Sequence, residues 1–222
     1  MKQNLKSKKK RTLSQRQWLT RQINDPYVEA AKRQGYRSRA AFKLEQLDDK
    51  FHFLKKGARV ADLGAAPGGW TQVAVARVKA GEPGGGLVAG LDILPMDPVP
   101  NAEILLGDFL ADGAEDRLKE ALHGPCDVVL SDMAAPTTGH APTDHLRIMH
   151  LAETALEFAL GVLAPGGAFV AKLFQGGAEK ILLDRMKTNF ATVRHAKPQA
   201  SRQDSKETYV VAMGFRGETK KA

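Results

Sequence analysis

The chain has 222 residues, 43% of them hydrophobic, and a single cysteine, Cys126. That accommodates one large domain with a short appendage, excludes an intramolecular disulfide framework and points to a reducing compartment. The net charge of +8 is unevenly spread: residues 1–39 hold twelve Lys and Arg against Asp25 and Glu29, a local +10, which leaves −2 for the rest. A basic arm on a near-neutral body is the electrostatic footprint of a polyanion binder; the bland alternative is a solvated tail.

In chain order, residues 1–12 read as a disordered basic arm, polar and without periodicity. Residues 13–35 form a basic helical segment broken at Asn24-Asp25-Pro26, and residues 36–216 form a single domain followed by a tail at 217–222. The stretch MKQNLKSKKKR lacks the apolar core of a secretory signal, and nothing approaches eighteen consecutive apolar residues, so no membrane span and a cytoplasmic location are expected. Ser38 is positioned to N-cap a helix through Ala41, Phe42, Leu44 and Leu47. Strands are expected at 58–64, 86–93, 102–109, 126–133 and 168–174, with helices at 69–80, 116–124, 143–163 and 178–190 between or after them. Two final strands, near 191–198 and 207–215, have no helix between them and should form an antiparallel hairpin. The alternation predicts an α/β fold, a doubly wound and mostly parallel Rossmann-like sheet.

In such a sheet, ligands bind beyond the carboxyl ends of the strands. The first strand runs into Asp62 and the loop Gly64-Ala65-Ala66-Pro67-Gly68-Gly69; the next three run into Asp92, Asp108 and Asp132; the fifth is expected to end at Lys172, in a wet and charged cleft. The loop is not GxGxxG, and no Gly-Lys-Ser/Thr follows it, which excludes a P-loop. Asp62 there disfavours a polyphosphate and suits a cationic or zwitterionic ligand. Asp92 lies where an acid would accept from ribose hydroxyls, an arrangement that NAD would also satisfy. In SDMAAP, at 131–136, no aromatic follows the acid, unlike an amino-directed methyltransferase that holds a flipped base. An acid beside Lys172 suggests deprotonation of a hydroxyl. A free lysine, with a pKa near ~10.4, is a poor base at neutral pH; a second ammonium and desolvation would help. Lys43 is the candidate second ammonium and Glu207 its candidate partner.

SRAAFKL, DLGAAPGGW, LDILPMD, GDF, SDMAAP, LAPGGAFVAKLFQG and SKETYVVA, in that order over residues 36–215, resemble the FtsJ (RrmJ) family of S-adenosylmethionine-dependent RNA ribose 2′-O-methyltransferases. The resemblance implies a Lys43–Asp132–Lys172–Glu207 tetrad in which Lys172 accepts the proton, Asp132 orients it and Glu207 holds Lys43. It implies S-adenosyl-L-methionine as cofactor, bound by Gly68, Trp70, Asp92 on the ribose, Asp108 near the adenine, and Asp132 near the methionine end. It further implies a monomer acting on a uridine ribose in the A loop of 23S ribosomal RNA within the large subunit. The family often reads SDMAPN where this chain has SDMAAPTTG. Two other functions stay open: methylation of tRNA ribose by the same chemistry, and a non-catalytic assembly factor on a methyltransferase scaffold. Each residue also has a structural alternative. Lys172, Lys43 and Glu207 could be solvated, Asp92 and Asp108 could cap turns, and Trp70 could be core. His140, His145 and His150 match no zinc pattern, and no metal is expected.

Overall fold

The structure is a computed structural model that describes residues 19–20, 22–136, 138–174, 180–203 and 205–217. The arm at 1–12, residues 13–18 and 21 of the helical segment, and the tail from 218 lie outside the described residues.

Seven short runs rich in Val, Ala and Leu pair into one sheet. They are β1 (Arg59–Leu63), β2 (Leu87–Asp92), β3 (Glu103–Leu106), β4 (Cys126–Ser131), β5 (Leu163–Phe174), β6 (Phe190–Ala196) and β7 (Glu207–Phe215). Their order is β3-β2-β1-β4-β5-β7-β6. The first five pair in parallel, while β7 runs antiparallel to both β5 and β6. The near-continuous apolar sequences follow from burial on both faces. One face packs Phe169, Ala171, Leu173, Val210 and Ala212 against α4 (Ala114–Leu122), α5 (Ala141–Val162) and α6 (Lys180–Asn189). The other packs Val170, Tyr209 and Val211 against α2 (Ala41–Phe51) and α3 (Gly69–Val78).

Ahead of these, α1 (Pro26–Gln34) begins where the sequence signals a break. Asp25 caps it by accepting from Tyr27 N at 3.0 Å, Pro26 fills the first turn, and Gly35 closes it with φ 74°. The Asp25 carboxylate also meets Arg39 at 2.7 Å and Arg202 at 3.6 Å. One acid therefore ties α1 to the start of α2 and to the β6–β7 loop.

Three expectations are corrected. Ser38 is not the N-cap of α2: Ala40 holds that position without a side-chain bond, and the Ser38 hydroxyl is turned toward Gly69, whose missing Cβ would lie 2.4 Å from it. The strand expected at 102–109 stops at Leu106, so Asp108 stands in the turn beyond it. The fifth strand begins at Leu163 rather than after the Ala-Pro-Gly-Gly turn, because a register shift between Cys126 and Val128 absorbs the extra residues as a bulge. The expected start of the helix at 178 lies outside the described residues.

Strand order reverses direction between β1 and β4, the switch point where an open α/β sheet leaves a crevice. The two strand ends touch there. Asp132 N donates to Leu63 O at 3.2 Å, and a Cβ on Gly64 would sit 2.9 Å from the Met133 backbone. Among the described residues no helix is long and apolar enough to cross a membrane.

Candidate active site

Register assembles the charged residues. Along β5, alternate residues Ala168, Val170 and Lys172 face the α2–α3 side. Lys172 pairs directly with Tyr209 across the antiparallel β5–β7 ladder, and Phe174 pairs with Glu207. Glu207 and Tyr209, two residues apart, share one face. On the other side of β5, Ser131 pairs with Ala171, so Asp132 emerges from β4 beside Lys172. Lys43, in the first turn of α2, descends onto this group from above the sheet.

The contacts are short and continuous. Lys172 Nζ donates to the Asp132 backbone carbonyl at 2.6 Å and lies 3.1 Å from Asp132 Oδ1. The Tyr209 hydroxyl donates to the same Oδ1 at 2.9 Å and receives a bond from Lys43 Nζ at 3.1 Å. Lys43 Nζ reaches Glu207 Oε1 at 2.8 Å and stands 5.6 Å from the Tyr209 ring centre. Two cations and two anions thus neutralise one another through a buried phenol. Burial by itself would raise the Asp132 carboxyl, but the Lys172 and Lys43 ammoniums and the Tyr209 hydrogen bond outweigh it and hold the acid below its usual range. Burial, with Asp132 and Glu207 nearby, pushes Tyr209 well above the ordinary phenol value, so it stays a hydrogen-bond donor.

The sequence places Lys172 at the end of its strand in a wet cleft. It is instead two residues short of the end and only 8% exposed. A buried ammonium survives there because a carbonyl and a carboxylate are both within reach.

Beside this array a cavity of ≈ 350 Å³ opens beyond β1, β2 and β4. It is lined by Gly64, Asp92, Gly107, Asp108, Phe109 and Met133, among others. Asp92 and Asp108 both cap following turns, accepting from Leu94 N at 2.8 Å and Leu110 N at 2.9 Å. Asp92 Oδ2 also accepts from Ala66 N at 2.8 Å, which fixes the glycine loop. Both acids therefore hold local structure and border the cavity. Across it stand Arg147 and His150 of α5. The longer loop after Asp132 is tied back to α5, with Thr138 N and Oγ1 each donating to Asp144 Oδ1 at 2.7 Å.

Two residues given to the cofactor by resemblance lie elsewhere. Gly68 is buried against Arg37 and Met96. The Trp70 indole is 3% exposed, donates to Ala40 O at 2.9 Å and packs 5.6 Å from the Tyr209 ring. That side chain is core, which leaves only its backbone at the start of α3 to meet a ligand. Asp62 is likewise fully buried beneath the glycine loop and does not border the cavity. Two participants carry little signal in the sequence. Tyr209 reads there as one apolar residue of a strand, although its two-residue offset from Glu207 puts it on the same face. Arg37 donates to the carbonyls of Asp97 at 2.5 Å and Pro98 at 2.6 Å, tethering the loop after β2; no local pattern announces that.

A nucleoside fits this cavity: its size lies in the small-ligand range, carboxylates stand where ribose hydroxyls would need acceptors, and a lone buried carboxyl oxygen waits under the loop. The fold and the site are those of a Rossmann-like methyltransferase. The chain belongs to the FtsJ-like methyltransferase family, which matches it over residues 36–215. It is 71% identical over 214 residues to Ribosomal RNA large subunit methyltransferase E of Paramagnetospirillum magneticum, covering 96% of this chain and 88% of that one. The enzyme of the same name from Parvibaculum lavamentivorans is 62% identical over 223 residues, covering 98% and 88%. Among solved structures, a ribosomal RNA methyltransferase from Plasmodium falciparum superposes with a TM-score of 0.73 at 34% identity, covering 82% of this chain and 100% of that one. The methyl donor is S-adenosylmethionine, whose holding residues would be Asp92, Asp108 and the backbone of the glycine loop.

Proposed function

We propose that the chain methylates the ribose 2′-oxygen of a uridine in the A loop of 23S ribosomal RNA, acting as a cytoplasmic monomer on the large ribosomal subunit. The observation that carries this reading is the unbroken Lys172–Asp132–Tyr209–Lys43–Glu207 array next to the cavity. A module that only bound RNA would have no use for two buried ion pairs joined through one phenol. The names of the relatives support the ribosomal substrate, and the basic residues at 1–39 support a nucleic-acid partner.

When bound, S-adenosylmethionine supplies an electrophilic methyl group on a sulfonium. Asp132 fixes the Lys172 amine by two contacts, so that a ribose hydroxyl entering beside the cavity meets an immobilised nitrogen. For this role Lys172 must first give up its own proton to solvent; its neutral amine then accepts the hydroxyl proton, leaving the ribose oxygen free to take the methyl group as the donor's S–C bond breaks. Tyr209 and Lys43 hold Asp132 ionised through that change. Alignment of the reactants contributes the largest part, up to roughly 7–11 kcal/mol of the barrier.

Tyr209→Phe tests the link between the two ion pairs. It removes one hydroxyl and keeps the ring on Trp70. The expected result is a methyl-transfer rate lowered about ten- to a hundredfold, with donor affinity unchanged, since a hydrogen bond to a charged group is worth about 1.5–3 kcal/mol. The function itself is tested by transfer of labelled methyl to undermethylated large subunits, free ribosomal RNA and tRNA, followed by nucleoside mass spectrometry. A 2′-O-methyluridine found only in the large subunit is the expected outcome. Label in tRNA would overturn the substrate, and no label in any of them would overturn the chemistry.

A further inference from the structure

The array of paired charges leaves one buried acid unused. Asp62, the fourth residue of β1, is fully inaccessible. Its Oδ2 accepts from the Thr71 hydroxyl at 2.7 Å, in the first turn of α3, while its Oδ1 has no hydrogen-bond partner among the described residues. A carboxyl so placed is costly for the fold, and no helix cap, ion pair or turn explains it. It lies under the glycine loop, between the two strands whose ends carry Asp92 and Asp132.

The geometry points to Asp62 as a proton-linked positioning residue for the methyl donor: in the empty site it holds a proton up to about neutral pH, and it releases that proton when the donor's positive charge arrives. This rests on the cofactor reading of the cavity. In the change, the carboxyl O–H bond breaks, the electron pair stays on oxygen, and the proton leaves to solvent. Binding then converts a neutral acid into a carboxylate whose charge, from beneath the glycine loop, offsets that of the cationic ligand.

The surroundings agree. The Asp62 carboxyl is raised to about 7: burial lifts it most, the Thr71 hydrogen bond pulls it down in part, and Asp132 and Asp92 add to the rise. The cations of the site do not offset this, because Lys172 of β5 is engaged by Asp132 and Lys43 of α2 by Glu207. Tyr209 of β7 is a neutral phenol bonded to Asp132, and α3 offers only the uncharged Thr71. A net cation entering this pocket is therefore the change that favours ionisation.

Calorimetric titration of the full chain with S-adenosylmethionine at pH 6, 7 and 8, in two buffers of different ionisation enthalpy, tests the proposal. The donor's own amino group titrates in this range as well, so the quantity read is the difference between wild type and Asp62→Asn. For a single group titrating near 7, wild type should gain about tenfold in affinity between pH 6 and 8 beyond any change in the variant. It should also release about half a proton more at pH 7. Thr71→Val keeps the carboxyl but removes the hydroxyl that favours its charged form, and should move the midpoint to higher pH. This second variant decides the matter if Asp62→Asn does not fold. Equal pH slopes in wild type and Asp62→Asn, or an unmoved midpoint in Thr71→Val, would overturn the proposal. Absence of binding by a folded wild-type chain would overturn the cofactor reading instead.

Discussion

Lys172→Met should reduce methyl transfer by about 10²–10⁴-fold, the range that a positioned acid or base contributes. Donor affinity should hold within about twofold, because no atom of Lys172 lines the cavity and a twofold change is well under one kcal/mol. Methionine matches the length of the lysine stem and removes only the amine, so the Ala168–Val170 face of β5 stays packed. The variant also leaves Asp132 without its nearest cation, and this gives the experiment a second signature. In the wild type the Asp132 carboxyl is held low, despite burial, by Lys172, Lys43 and Tyr209. A depressed carboxyl contributes stability that is present above its unfolded value, near ~3.9, and lost as pH falls through the folded one. Melting curves of wild type and Lys172→Met should therefore lie furthest apart at neutral pH and converge below about pH 4. Near-normal single-turnover rates would remove Lys172 from the chemistry; a gap that did not close in acid would mean that the pair adds nothing electrostatic.

Gly64→Ala should damage fold and cofactor site together. Gly64 has φ +79°, and an added Cβ would meet the Met133 Cα and N at 2.9 Å, backbone against backbone. Left-handed strain on alanine costs about 1 kcal/mol, and forcing apart two packed strands adds about 1–3 kcal/mol. In a chain of this size that lowers Tm by about 5–15 °C. The strands that must separate are those whose ends border the cavity, so donor affinity should fall at least about tenfold, the equivalent of 1.4 kcal/mol. Gly84→Ala is the control: it shares the positive φ, +68°, but nothing among the described residues lies within 4 Å of its added Cβ. It should show the strain alone, a shift of about 2–4 °C. If the two variants melt together, the close approach of β1 and β4 is not what requires glycine at position 64.

Much of this fold and site is legible in the amino-acid sequence. The break at Asn24-Asp25-Pro26 marks where α1 is capped, and the parallel strands announce themselves as short apolar runs between helical segments. Asp62, Asp92 and Asp132 stand out because a charge at or just past the end of an apolar run is conspicuous. Lys172 stands out for a related reason, as a lone ammonium within such a run. The errors fall where local pattern and tertiary contact compete. Ser38 has the chemistry of a cap, but it stands two residues ahead of the capping position and its hydroxyl packs against Gly69. Trp70 follows the glycine loop, and its indole takes the core alternative that the sequence also allowed, filling the space over Tyr209 and donating to Ala40 O. Asp62 resembles the other strand-end acids in sequence and differs from them only in being sealed beneath α3.

By itself, then, the amino-acid sequence determined the element order, the two-sided burial of the sheet and the identities of the ionisable residues, because these follow from apolar periodicity and from residues too polar to be buried without reason. Tertiary structure alone decided which charges neutralise which. Lys43 and Glu207 are 164 residues apart, and they meet because β7 inserts antiparallel between β5 and β6. That register puts Tyr209 opposite Lys172 and seats Glu207 under α2. Strand pairing is a long-range choice made by packing both sheet faces at once, and no local stretch of chain encodes it.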